Sequence, residues 1–300
     1  MHFFIANNNC CYRVPSLLPF FFVVLFYTTM SDLLPNDTTG PPLPPGASFA
    51  AVAMHSIFGK MPYPWQQTVL DKLTKMLANN CCAPLLLVRP TGGGKSAVRD
   101  TFAVLLAGVT LTITPLLSLG ADQAKKVLLN ASVEFGSVTA FHHDEMKDPA
   151  TMQMDLVEKL LSLPSDTTKT VLLFMSPQAL QNNTCWQVLV KKLLISCLLR
   201  FVALNEIHLF VHFGMTFRLE FAALKELLFQ YLLGDSIPGK TCIPILLITA
   251  TCSKNILNYL QLLSGLTIES TFNCLWPEPC VMEHRHVYSR EVLGPCFLRH

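Results

Sequence analysis

Residues Arg89 to Ser96 read RPTGGGKS and directly follow the apolar run Leu85-Leu86-Leu87-Val88. Consecutive glycines let a backbone turn so tightly that several N–H groups point into one concavity, which suits phosphate oxygens. A lysine at the end of such a turn can reach the outer phosphates, and a hydroxyl one residue later can ligate a magnesium ion. Thr91, Gly92, Gly93, Gly94, Lys95 and Ser96 therefore form a candidate phosphate-binding loop, and a nucleoside triphosphate is its expected ligand. One position departs from the full pattern, which has a glycine where this chain has Arg89.

A second constellation lies in Phe201–Phe221, FVALNEIHLFVHFGMTFRLEF, an apolar strand ending in Asn205-Glu206-Ile207-His208 before a phenylalanine-rich loop. Beside a phosphate loop, an acid at such a strand end normally holds magnesium through water, and the next carboxylate orients the attacking water. Glu206 suits the second task. Asn205 is a neutral amide at the degenerate magnesium position and suits the first poorly, so nucleotide affinity is expected to survive better than hydrolysis.

These groups need rigid elements to carry them. From Gln66 to Ala78 the apolar residues Val69, Leu70, Leu73, Met76 and Leu77 share one helical face, the stripe of a helix packed on a sheet. Short apolar runs near Leu85–Val88, Thr110–Thr114, Ser137–Phe141, Thr170–Met175, Phe201–Leu204 and Pro244–Thr249 alternate with amphipathic segments. That rhythm predicts an α/β fold with a mainly parallel sheet and helices on both faces, ligands sitting at the carboxyl ends of the strands.

Composition sets outer limits. Of 300 residues, 51% are apolar and 14% charged, ample for a buried core and unlike a disordered chain. The net charge of +2 gives no general electrostatic case for nucleic acid, so such a partner must rest on local chemistry. The 11 cysteines form no CxxC pairs at zinc spacing; no zinc is expected, and a reducing compartment suits them. His142-His143-Asp144-Glu145 reads as a solvated turn, because adjacent side chains on a loop rarely converge on one ion.

The chain divides into an apolar segment (1–30), a proline-rich linker (31–50), one domain (51–294) and a tail (295–300). Leu17 to Met30 is apolar but shorter than the roughly 18 residues of a spanning helix, is interrupted by Pro19 and precedes no small-residue cleavage site. It reads as a targeting or anchoring segment, as an extra packing segment or as a misassigned first exon; a membrane partner is not expected.

Taken together, these motifs resemble the first motor domain of RecQ-like superfamily-two helicases of the DExH type, which has a RecA-like P-loop NTPase fold. The resemblance covers roughly Phe58 to Gly294. Phe58-Gly59 with Tyr63 and Gln67 is similar to the family's adenine-reading element, Pro64 standing where the family has arginine. Thr112 to Leu119, continuing to Asp122-Gln123, is similar to motif Ia, Met175-Ser176-Pro177-Gln178 to motif Ib, and Leu247 to Thr251 (LITAT) to motif III.

The resemblance implies ATP and Mg2+ as cofactors, 3'-5' DNA unwinding in repair or recombination, and a nuclear protein. It implies Lys95, Glu206 and His208 as catalytic groups. Thr114, Pro115, Ser118, Asp122, Gln123, Ser176 and Pro177 would face single-stranded or junction DNA. Phe210, Phe213, Phe217 and Arg218 resemble the aromatic loop that links the strand to hydrolysis, while Thr249 and Thr251 would couple the two sites. Such motors complete their cleft with a second motor domain, whose motifs are not recognised here, so the chain is expected to be weak or inactive in isolation. The alternative is a non-catalytic nucleotide and single-strand binding module, a remnant of the mobile-element type. If the apolar amino terminus were a true targeting segment, a membrane or secretory route would replace the nucleus.

Overall fold

The apolar runs pair into one parallel sheet of seven strands: β1 (Leu85–Val88), β2 (Gly108–Ile113), β3 (Val138–His142), β4 (Thr170–Met175), β5 (Leu199–Leu204), β6 (Ile245–Thr249) and β7 (Ser270–Asn273). The computed structural model describes residues 48–79, 81, 83–115, 117–130, 138–142, 156–209, 223–233, 243–268 and 270–273. Every residue of β1, β2, β4 and β6 is buried. Continuous burial is what a parallel sheet covered on both faces demands.

Two apolar layers divide the strand side chains by alternation. Leu85 and Leu87, Leu172 and Phe174, Phe201 and Ala203, and Leu246 and Ile248 point to one side. There they meet α1 (Phe49–Phe58), α2 (Pro64–Ala78) and α3 (Lys95–Leu106) through Met54, Leu70, Leu73 and Phe102. The rings of Phe102 and Phe201 meet edge to face at 5.0 Å. Leu86, Leu111, Leu173, Val202 and Leu247 point the other way, onto α6 (Thr184–Ile195) through Trp186, Leu189 and Leu193. The π-helical turn Lys225–Phe229 and α7 (Lys254–Ser264) close this layer with Leu228 and Leu260. Between β2 and β3 runs α4 (Leu117–Asn130), and after β4 the short α5 (Pro177–Asn182).

The strand order is β3-β4-β2-β5-β6-β1-β7. Two strands from the second half of the chain, β5 and β6, thus stand between β1 and β2. All six neighbouring pairs are parallel, so every strand presents its carboxyl end at the same edge. This is the RecA-like α/β architecture.

Each expected strand is present, two with the expected bounds and four with one or both ends moved by one or two residues. The sequence reading missed β7, because Ser270–Asn273 (STFN) carries no apolar run and sits at the sheet edge. His142 is not part of a solvated turn as its polar neighbours suggest: it ends β3 with 2% exposure. Gly120 makes room for it, since a Cβ there would lie 2.7 Å from the imidazole. His143, Asp144 and Glu145 lie outside the described residues, as do the apolar segment 1–30 and the tail. Ser48 caps α1 by accepting from Ala51 N–H, so the first helical residues fall within the stretch read as linker. No helix among the described residues is long and apolar enough to cross a membrane.

Leu87 is fully buried in the strand that feeds the glycine turn. Truncation to alanine removes its contacts with the α2–α3 layer and leaves a cavity, so Leu87→Ala should lower unfolding free energy by about 2–5 kcal/mol. Urea titration checks this, and a loss below about 1 kcal/mol would contradict the packing described here.

Candidate nucleotide and nucleic-acid site

The glycine loop begins where β1 runs out beside β6: Val88 pairs with Thr249, and Arg89 N–H donates to Thr249 O at 3.0 Å. Gly92 and Gly94 take φ of 78° and 81°, the left-handed region that side chains resist. Gly93 N–H closes the turn on Pro90 O at 3.1 Å. A Cβ on Gly93 would stand 2.9 Å from that same oxygen, and one on Gly94 2.8 Å from Gln66 Nε2. The turn is therefore closed to larger residues on three successive positions.

Lys95 opens α3 and curls back over the loop, its Nζ donating to Arg89 O at 2.7 Å and Pro90 O at 3.1 Å. Burial pushes its pKa down, the Glu206 carboxylate works against that, and the Arg89 cation adds to the lowering. Thr91 and Ser96 are exposed at the rim. Arg89 lays its guanidinium 4.4 Å over the ring of Trp65, which is buried at the start of α2.

The start of α2 is tied to the loop by Gln66. Its Oε1 accepts from Tyr63 N–H at 2.8 Å, and its Nε2 donates to Gly94 O at 3.0 Å. Tyr63 itself is 63% exposed and Gln67 is half-buried beside the same helix start. Gln67 carries the motif likeness in the sequence, whereas the residue that makes the contact to the loop is Gln66. The signal was available, since a glutamine three residues after a helix's first flanking residue is a capping-box position.

At the end of β5, Asn205 is buried and its Nδ2 donates to Gln123 Oε1 at 2.7 Å. The same oxygen accepts from Arg99 Nη1 at 2.6 Å. Arg99, fully buried, also binds Asp100 Oδ1 at 2.7 Å and lies 5.0 Å from the Phe174 ring centre. Burial pushes the Asp100 carboxyl up while Arg99 pulls it back.

Glu206 adopts φ of 51°, a left-handed angle costly for a non-glycine residue and frequent at functional sites. Its Oε2 is buried and accepts no hydrogen bond among the described residues. His208 Nδ1 lies 3.4 Å from that oxygen but only 2.9 Å from Thr249 Oγ1. Thr249 Oγ1 also donates to Thr251 O at 2.9 Å, so it joins the imidazole to the end of β6. Lys95, Glu206, His208, Thr249 and Thr251 thus gather around the ends of three adjacent strands.

Magnesium fits this donor set poorly. The Glu206 carboxylate could orient a water, and Ser96 is exposed, but Asn205 offers only the oxygen of a neutral amide where a carboxylate would carry charge. Among the described residues no three His, Cys, Asp or Glu side chains group as metal ligands.

The candidate strand-facing residues occupy the neighbouring edge. Thr114 N–H donates to Met175 O at 2.9 Å, which brings the ends of β2 and β4 together. The Thr114 hydroxyl is buried without a hydrogen-bond partner among the described residues. Ser176 uses its hydroxyl to cap α5, accepting from Ala179 N–H at 3.1 Å, and Pro177 begins that helix. Pro115 is buried, Asp122 is exposed on α4, Gln123 is the shared acceptor described above, and Ser118 lies in the first turn of α4. Phe210, Phe213, Phe217 and Arg218 lie outside the described residues.

Gln66→Leu should remove both the cap of α2 and the tie to the loop, costing about 1–2 kcal/mol of stability. Gln67→Leu should change it by less than about 0.5 kcal/mol. Equal losses for the two variants in denaturant titrations would deny Gln66 this bracing role.

No family model matches this chain. It is similar to "ATP-dependent DNA helicase RecQ" of Synechocystis, 31% identical over 208 residues, which are 69% of this chain and 37% of that protein. "Putative ATP-dependent DNA helicase Q1" of Caenorhabditis briggsae is 28% identical over 187 residues, 62% of this chain and 27% of the relative. The chain therefore spans well under half the length of either relative. Among solved structures, the DUF1998 helicase MrfA bound to DNA superposes with a TM-score of 0.50 at 16% identity, covering 82% of this chain and 34% of that one. That superposition bears on the fold alone, and the sequence matches carry the family: the chain contains a RecQ-like helicase motor domain.

Proposed function

We propose that this motor domain, read as residues 51–294, binds ATP in the loop after β1 and single-stranded or junction DNA along the ends of β2 and β4. The observation that carries the reading is the glycine turn itself, with Lys95 Nζ held over its carbonyls at 2.7 and 3.1 Å. An ammonium held this way can exchange carbonyl partners for phosphate oxygens with little movement, and the amides behind it supply further donors.

In this reading Ser96 is the remaining hydroxyl donor for an accompanying Mg2+. Glu206 and His208 orient water, and Thr249 and Thr251 link the nucleotide to the strand. Tyr63 and Gln67 lie toward the base, and Phe210, Phe213, Phe217 and Arg218 stack on or pair with the strand. The relatives' printed names support ATP-dependent action on DNA, and the nucleus is the compartment proposed from the eukaryotic ones. A second motor domain would complete the cleft for unwinding.

One observation favours a binding module over a fast ATPase, namely the uncharged amide of Asn205 at the end of β5, held by Gln123. Turnover with single-stranded DNA is expected to be slower by about 10²–10³ than in a motor with a carboxylate there. A steady-state phosphate-release assay tests it, and full motor-like turnover would exclude the module reading. Lys95→Ala should weaken nucleotide binding by about 10- to 100-fold in titration calorimetry; unchanged affinity would remove the loop from the proposal. Because the Lys95 pKa is held down in the free loop, an arriving phosphate should raise it. Nucleotide binding should then take up a proton in alkaline buffer below the ordinary lysine pKa, and the same calorimetry in buffers of different ionisation heat reads that uptake.

A further inference from the structure

We infer that the loop holds nucleotide phosphates with two cations of its own, Lys95 and Arg89, so that nucleotide affinity needs no divalent metal. This rests on the phosphate-loop reading above and adds to it. In a site built round magnesium, the strand-end carboxylates give the protein a negative face that the ion must neutralise before phosphates can settle. Here that balance is reversed. At position 205 the charge is gone: the side chain is a neutral amide, held by its nitrogen to Gln123 at 2.7 Å, and its oxygen brings no negative charge to the site.

Arg89 supplies the added charge from the position where the full pattern has glycine. Its Cγ and Nε stand 2.9 and 3.2 Å from the place a Cβ on Gly93 would occupy, so the side chain runs along the middle of the turn. Trp65 fixes its far end, with the guanidinium 4.4 Å from the ring centre. Trp65 is 2% exposed, whereas Arg89 is partly exposed. One guanidinium face is thus backed by a buried ring, while the side chain as a whole keeps partial exposure at the loop. A planar fork of this kind binds phosphate oxygens in pairs, and backing by an aromatic ring limits the rotamer freedom lost when it does so. Against these two cations, the carboxylate acting on Lys95 among the described residues is Glu206, and Asp100 is tied to Arg99.

The test is an equilibrium titration of the whole chain with a fluorescent N-methylanthraniloyl ATP, once with millimolar magnesium and once with EDTA. The two dissociation constants should agree within about threefold, and Arg89→Met should weaken binding in EDTA by about tenfold or more. A loss of tenfold or more on removing magnesium from the unmodified chain would overturn the inference, as would an Arg89→Met chain that binds equally well in EDTA. Binding in magnesium alone would leave the phosphate-loop reading standing without it. Binding in neither condition would remove both.

Discussion

A backbone that turns back on itself at the end of a fully buried strand must direct several N–H groups into open space, and the rest of this site depends on that turn. Gly92 and Gly94 accept left-handed angles, and Gly93 has no room for a side chain against Pro90 O. The turn would be a weakly held loop if nothing braced it. Lys95 braces it from inside through two carbonyls, and Gln66 braces it from outside through Gly94 O. Because Gln66 also caps α2, the loop, the helix before the sheet and the helix after it share one hydrogen-bonded joint.

Topology converts that local turn into a site. Chain order would put the loop next to β2, but the sheet inserts β5 and β6 between them. Glu206, His208 and Thr249 arrive beside the loop for that reason, from far along the chain. On the other side of β5 stand the ends of β2 and β4, with Thr114 and Ser176. Gln123 Oε1 accepts from Arg99 on one hand and Asn205 on the other, so a single amide oxygen spans the two neighbourhoods. Arg99 is a buried charge, costly unless paired, and the Asp100 carboxylate, Gln123 and the Phe174 ring together supply that pairing.

Much of this was legible in the sequence for physical reasons. A strand buried on both faces must be apolar throughout, so β1, β2, β4 and β6 announce themselves as runs. The glycine loop is equally plain, because no other residue type can make the turn. Less legible were groups whose role depends on a partner distant in the chain. Gln66 looks like any helix glutamine until Gly94 comes within 3.0 Å of it. Arg89 looks like a lapse in a motif until Trp65 is seen beneath it. His142 looks solvated among polar neighbours until β3 is seen to carry it inward over Gly120. At β7 the difficulty is different: an edge strand has only one neighbour to satisfy and needs no apolar run to do so.

Asn205 shows why the identity of a site residue has to be read with its neighbours. Taken as a position, it is a carboxylate lost. Taken with Gln123 and Arg99, it is one member of a consistent set, in which a single acceptor oxygen serves two donors at 2.7 and 2.6 Å. A carboxylate at 205 has no hydrogen to give, so Gln123 would have to turn its amide to donate instead. That turn would set its NH2 against the Arg99 guanidinium and deprive a buried cation of an acceptor. The present hydrogen bonding is therefore one that an amide at 205 completes and a carboxylate would have to rearrange.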